Sequence, residues 1–305
     1  MLTQAKDTEM VIAGVVEERA HAHMLRYWRE SARLLEGGPF ILLTDNSEHP
    51  TLFVAHQGTS FFMLARELEG YRRIADDLFH ERVEQDPPWP DDDVKEGWEK
   101  WALAKGLFLN ASPLVLWEMM NNAGFEADPA DRKPRHAYLW TIEGEPRFSS
   151  LIRHPCRLNE DESLWEKLRE GIGYDEEGDY VRMCINRGPS FVCEVDGEMV
   201  CWSATHLNGT MAMIYTPPGH RRKGYARSLA AFQTDYMLKN YGVAPAHVLS
   251  TNLESQNMMR SLGARRINDP VVWRSLYWPG EAEKAARRLD EIKQKREEQR
   301  QDAQT

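Results

Sequence analysis

The chain has 305 residues, 42% of them hydrophobic, and a net charge of -10 at pH 7. That length suggests two domains or one large one, with enough apolar material for real cores. The acidic balance argues against a general binder of nucleic acid or of anionic membranes, and no apolar stretch approaches the ~20 residues of a transmembrane helix.

The elements are read in chain order. Residues 9–36 read as a helix, with Val16, Ala20, Met24, Tyr27 and Leu34 mostly three, four or seven apart. His21 and His23 sit two apart, which points them in different directions on a helix; they read as surface histidines rather than metal ligands. Gly37-Gly38-Pro39 ends the helix, and two short strands follow at 40–44 and 51–55 around a turn at 45–50. Ser60 to Phe79 reads as a second helix, E-Q-D-P-P-W-P-D-D-D at 84–93 as a loop, and Val94 to Leu109 as a third helix. Ser112-Pro113 predicts another helix start. Trp98, Trp101 and Trp117 are assigned to the core. D-P-A-D-R-K-P at 128–134 is the best linker.

Beyond the linker, His136 to Glu143 reads as a strand and Leu151 to Leu158 as an extended segment. Asn159 is placed as the cap of a helix over 160–171. Another helix is expected at 179–187. Strands at 190–195 and 198–207 join at Asp196-Gly197, and Asn208-Gly209 is read as a two-residue hairpin turn into a strand from Met211. In that register Leu207 opposes Thr210 and His206 opposes Met211. The start of the chain has no apolar run behind a basic head, so no signal peptide is expected. Cys156, Cys184, Cys193 and Cys201 show no C-x-x-C spacing and no zinc pattern. They read as reduced, mostly buried thiols of a cytoplasmic protein, with no metal expected. Residues 281–301 are charged nearly all round and read as a solvated helix or frayed tail.

The most informative stretch runs from Met211 to Gly263. It reads as a strand, a basic glycine-bearing turn P-P-G-H-R-R-K-G-Y-A, a helix over 226–240, a parallel strand H-V-L-S-T-N, and a short helix. Backbone N–H groups at a helix N-terminus favour an anion such as phosphate. Gly224, with no Cβ, lets a pyrophosphate approach its backbone.

Arg221-x-x-Gly224-x-Ala226 in this strand–turn–helix context resembles the coenzyme A loop of the GNAT superfamily of N-acetyltransferases. Asn252, Ser255, Asn257 and Leu262-Gly263 are spaced as in that superfamily. Cys184-Ile185, the segment from Pro189 to Trp202, Asn208-Gly209, Tyr215 to Pro218 and the Trp273…Trp278 pair resemble the glycine N-acyltransferase-like branch. This likeness covers the C-terminal half; the N-terminal half is only faintly similar, around Gly38-Pro39-Phe40. The resemblance implies an α/β fold with a mixed sheet. It implies a GNAT domain over 136–280, after an α/β N-terminal domain over 1–130 with which a divergent GNAT-like domain is compatible, and before the charged tail at 281–305.

The resemblance also implies a chemistry. Acetyl-CoA or another acyl-CoA would donate an acyl group to the amine of a small molecule or amino acid. The alternatives are a protein amine as acceptor and a CoA-binding regulatory module without catalysis. Ile214, Tyr215 and Thr216 would bond the pantetheine arm through their main chain. Arg221, Arg222, Lys223, Gly224, Tyr225 and Ala226 would hold the pyrophosphate, with Arg227 reaching a phosphate and Asn252 bonding the arm from the opposite strand. Asn252 also reads as a helix N-cap, since Ser255 follows. The chain departs from the family at the general base, where Thr210 stands in place of Glu, and at the acid, where Met259 stands in place of Tyr. His206 is the nearest titratable substitute for the base, but the two-residue turn would put it on the face away from Thr210.

Overall fold

A computed structural model describes residues 3–5, 7–15, 19–32, 41–46, 48–57, 60–65, 107–111, 126–127, 135–161, 164, 166–167, 179–277, 280, 282–283 and 287. The chain divides into two compact units, one of 1–17, 32–137 and 270–305, the other of 18–31 and 138–269. Set against the domains read from sequence, residues 18–31 join the second unit and 270–280 the first.

In the first unit, Asp7 Oδ1 accepts from the amides of Glu9 and Met10 and so caps helix α1, Thr8–Val15. Strands β1 (Thr3–Gln4), β2 (Ile41–Thr44), β3 (Leu52–Gln57) and β4 (Ser60–Ala65) pair in that order, all antiparallel. The turn at 45–50 is held by Asp45, which accepts from the Thr51 amide and hydroxyl. Two sequence expectations are corrected here. Ser60–Ala65 is a strand, paired Gln57 to Ser60 across Gly58-Thr59, so a hairpin partner overrides the helical reading of S-F-F-M-L-A. Leu107–Ala111 is strand β5, parallel to β4, where the end of a helix was expected. β6 (Glu126–Ala127) follows. The helices expected at 66–79, 94–106 and 112–122, Trp98, Trp101, Trp117, the acidic loop and the linker lie outside the described residues.

The second unit begins with helix α2, Arg19–Ala32, so the single helix expected over 9–36 is two helices, with 16–18 and 33–36 outside the described residues. Its strands β7 (Arg135–Glu143), β8 (Cys156–Leu158), β9 (Phe191–Val195), β10 (Glu198–Thr205), β11 (Met211–Tyr215) and β12 (Val243–Leu249) lie in the order β7-β12-β11-β10-β9-β8. Helix α3, Asp179–Arg187, lies on one face, where Val181 and Cys184 pack with Val192, Trp202 and Ala204. Helix α4, Tyr225–Tyr241, lies on the other, burying Leu229, Ala230, Ala231 and Met237. Helix α5, Leu253–Ser261, follows β12, and strand β13, Arg265–Tyr277, is one strand where two were expected, with its residues from Pro270 onward counted in the first unit.

Local chemistry explains the turns. Asp196 and Gly197 both have positive φ, 53° and 79°, as a tight hairpin turn between β9 and β10 requires. α4 ends at Gly242, whose left-handed backbone lets its amide reach the Leu238 carbonyl at 2.9 Å. Gln233, fully buried on α4, accepts from the Ser203 hydroxyl at 3.1 Å and donates to the Ala204 carbonyl at 3.3 Å. That pair of bonds fixes α4 against the middle of β10.

Candidate acyl-donor site

β11 is the irregular strand. Its register against β10 shifts by one residue between the pairs Ala204–Ala212 and Trp202–Tyr215. The extra residue is accommodated near Met213, whose φ is +57°, a conformation disfavoured for a residue with a Cβ. Alternation of faces breaks there. Met211 and Ile214 pack toward α4, while Met213 and Tyr215 pack toward α3. On its other side β11 runs parallel to β12 and pairs with it only at Met211–Ala246 among the described residues. Beyond that point the β12-facing main chain of Ile214, Tyr215 and Thr216 has no strand partner among the described residues, which is the condition for an extended ligand to add to a sheet edge.

The strand leads directly into the loop. Residues 218–220 make one tight helical turn, and Arg222 and Gly224 then take left-handed backbone angles, with φ of +64° and +88°. α4 begins at Tyr225, and its first internal bond runs from the Ser228 amide to the Gly224 carbonyl. The amides of Tyr225, Ala226 and Arg227 therefore point out of the helix start without partners in it. Arg221 donates from Nε to the Thr216 carbonyl at 3.0 Å and lies 5.7 Å from the Tyr215 ring centre. His154 donates from Nε2 to the Lys223 carbonyl at 3.1 Å and packs on Tyr225. A Cβ on Gly224 would meet His154 at 3.7 Å, in a backbone region that L residues rarely adopt. His154 carried no sequence signal; it lies 69 residues from its partner Lys223, with no spacing pattern to link the two.

Asn252 accepts from the Ser255 amide at 3.0 Å, so it caps α5 as its sequence context indicated. Asn257 accepts from Arg260, within α5. Met259, at the position of the expected acid, is 1% exposed and belongs to the core.

The β10–β11 turn corrects the expected register. Thr205 pairs with Met211, and the His206 amide donates to the Thr210 carbonyl at 2.9 Å. The loop thus has three residues, 207–209, ending in left-handed Gly209. Asn208 causes the change: its Oδ1 accepts from both the amide and the hydroxyl of Thr210. α2 packs on the turn, where a Cβ on Gly209 would meet Tyr27 at 2.7 Å and His23 at 2.8 Å. His206 consequently opposes Thr210 and shares its face. Burial lowers the His206 pKa to about 4.

His247 follows Ala246 on β12 and so lies on the same face as Ala212, with β11 between it and His206. Burial first, then the His21 and His206 rings, lower its pKa to about 3. His21 and His23 are buried in the second unit, 8% and 9% exposed, a correction to their reading as surface residues. The cause is tertiary: His23 donates to the Gly209 carbonyl and packs against Tyr27 and Tyr241. Among the described residues no group of three or more His, Cys, Asp or Glu is arranged to hold a metal ion.

On the α3 side a cleft of about 740 Å³ opens beside the loop. Trp202 and Tyr215 line it with Arg157, Lys167, Glu194 and Glu198, so cations and carboxylates share one opening. The Trp202 indole N–H is buried and has no acceptor among the described residues.

Comparison with known proteins addresses the same region. Residues 191–273, from β9 into β13, match the family model described as FR47-like protein. The chain is similar in fold to a Drosophila protein of solved structure, at 14% identity and a TM-score of 0.60, over 90% of this chain and 98% of that one. It is also similar to a protein described as an acetyltransferase from Pyrococcus horikoshii, at 11% identity and a TM-score of 0.50, over 90% and 88% of the two chains. A GCN5-related N-acetyltransferase from Kribbella flavida matches at 15% identity and a TM-score of 0.47, over 87% and 96%. Residues 191–273 thus match an FR47-like family model, in a chain whose mixed α/β fold is similar to those of the Drosophila and Pyrococcus horikoshii proteins.

Proposed function

We propose that the second unit is an acyl-CoA-dependent N-acyltransferase that takes acetyl-CoA as donor and the amine of a small molecule or amino acid as acceptor. The observation that carries this reading is the continuity of three features on one strand. The bulge at Met213, the β12-facing main chain of Ile214 and Tyr215 and the left-handed loop into α4 follow one another without interruption. An extended arm carrying a pyrophosphate needs such a track: main-chain groups along its length and outward amides with cations at its end. Arg222, Lys223 and Arg227 supply the charge. The glycine N-acyltransferase-like branch and amino-acid acceptors are part of the proposal.

The acceptor enters, in this reading, from the α3 side, where the cleft offers both carboxylates for an ammonium and cations for a carboxylate. The amine must lose a proton before it attacks. His206, which shares the face of Thr210, is the candidate to take it. Its ring is neutral at pH 7, but with a pKa of about 4 it is a weak base. An amino-acid ammonium therefore loses its proton mainly to solvent, and the rate follows the amine's own titration.

Thiol release from acetyl-CoA, measured with glycine, other amino acids and polyamines, tests both parts. Turnover above background is expected with at least one acceptor, with a rate that rises with pH and has no plateau near neutrality. His206→Gln is expected to lower the rate less than the ~10²-fold lower bound typical of general-base loss. Background rates with every acceptor would defeat the catalytic reading; a plateau near pH 7 that His206→Gln removes would make His206 the base.

A further inference from the structure

Three of the four cysteines form one row across three strands. Cys156 of β8 is in register with Cys193 of β9, and Cys193 with Cys201 of β10. The row depends on a bulge, because the β9–β10 register shifts by one residue between Met199 and Cys201. Without that shift Cys201 would stand opposite Val192. Cys156 and Cys193 are joined by a disulfide, which corrects the expectation of four reduced thiols; Cys184 and Cys201 are buried thiols outside that bond. The pairing had no sequence signal, since 37 residues separate the two and only the strand order brings them together. Directly opposed residues have Cβ atoms ~4.5–5.5 Å apart, and a disulfide needs ~3.5–4.5 Å. Cys193 therefore needs only a small adjustment to bond to either neighbour.

Access is graded along the row. Cys156 is half-buried on the last strand of its sheet, whereas Cys193 and Cys201 are fully buried. The inner end rests against the loop described above. The Thr216 hydroxyl donates to Cys201 Sγ at 3.2 Å, and Cys193 Sγ lies 3.9 Å from the Tyr225 carbonyl oxygen. Thr216 and Tyr225 are the two ends of that loop, so the sulfurs underlie both.

We propose that Cys156, Cys193 and Cys201 form a thiol–disulfide exchange site beneath the 216–225 loop, and that the choice of partner for Cys193 sets the loop's hold on its anionic ligand. The second clause rests on the acyl-CoA reading. In the exchange step the Cys201 thiolate attacks Cys193 Sγ. A Cys193–Cys201 bond forms as the Cys156–Cys193 bond breaks, and Cys156 leaves as a thiolate that takes up the proton Cys201 released to solvent. One disulfide and one thiol exist before and after, so no oxidant or reductant is consumed. Burial raises the Cys201 pKa to about 11, so exchange is slow near neutrality and accelerates about tenfold per pH unit below that value. After exchange Cys201 no longer accepts from Thr216, and Cys156 is the thiol nearest solvent.

Non-reducing peptide mapping with alkylation, on full-length wild type, Cys156→Ser and Cys201→Ser, reads the bonds directly. With oxidised glutathione as oxidant, Cys156→Ser is expected to form Cys193–Cys201, and wild type at raised pH to show that bond together with alkylated Cys156. Amide hydrogen exchange of the 216–226 peptide, without ligand, is expected to be about three- to tenfold faster in oxidised than in reduced Cys156→Ser, as loss of one hydrogen bond implies. Coenzyme A affinity is expected to fall by a similar factor. Failure of Cys156→Ser to form the bond, or its formation with no change in loop exchange, would overturn the proposal. Mapping and amide exchange need no ligand; coenzyme A binding to none of the forms would overturn only the acyl-CoA reading and the affinity clause that depends on it.

Discussion

Thr210 stands where a carboxylate is expected, fully buried, with its hydroxyl on Asn208. Its work is to close a turn, and that turn brings His206 to the same face. His206 and His247 both have pKa values lowered by burial, to about 4 and about 3, against an ordinary value of 6.5. Each contributes stability that is fully present above the unfolded value. As pH falls below 6.5 the unfolded chain binds protons that the folded chain refuses, so the contribution is lost progressively toward pH 4 and 3. Thermal unfolding is therefore expected at a lower temperature at about pH 5 than at about pH 7.5, and the double variant His206→Gln/His247→Gln should flatten that dependence. A wild-type midpoint that does not change with pH over this range would show that the two rings are not held neutral.

At the scale of elements, one helix holds the irregular strand in place. Gln233 ties α4 to Ser203 and to the carbonyl of Ala204, whose partner Ala212 lies next to the bulge. Gln233→Leu keeps the volume but leaves these buried groups without partners. It is expected to destabilise the protein by about 1–3 kcal/mol, measured by urea denaturation, while the far-UV spectrum stays native. An unchanged denaturation midpoint would mean that other groups satisfy the strand. Much at this scale was legible in the sequence. Asp196-Gly197, the boundaries of α3, and the strand–loop–helix order from Met211 to Gly263 carry their own signals of turn chemistry and periodicity. Ser60–Ala65 was not legible, because a six-residue apolar run reads equally as helix or strand until its partner β3 is known. The β10–β11 register also escaped, since Asn208 reads as half of a two-residue turn unless its side chain is seen bonded to Thr210.

At the scale of the whole molecule, the division into units and the setting of the 211–226 track depend on contacts that are distant in sequence. Residues 18–31 join the second unit although more than 100 residues separate them from its next segment. His23 and Tyr27 of that helix then press on Gly209, and His154 on the loop at Gly224. No local pattern encodes such pairings, which is why two histidines that looked exposed are buried. The 211–226 track itself was legible, because its glycine, its cations and its helix are contiguous. The central claim is that this track binds a coenzyme A pyrophosphate, and calorimetric titration of coenzyme A into wild type and Gly224→Asp tests it most directly. Saturable binding is expected in the wild type. Loss of ten-fold or more in affinity, about 1.4 kcal/mol, is expected in Gly224→Asp, with the far-UV spectrum unchanged. Equal affinity in the two proteins, or no binding to wild type, would contradict it.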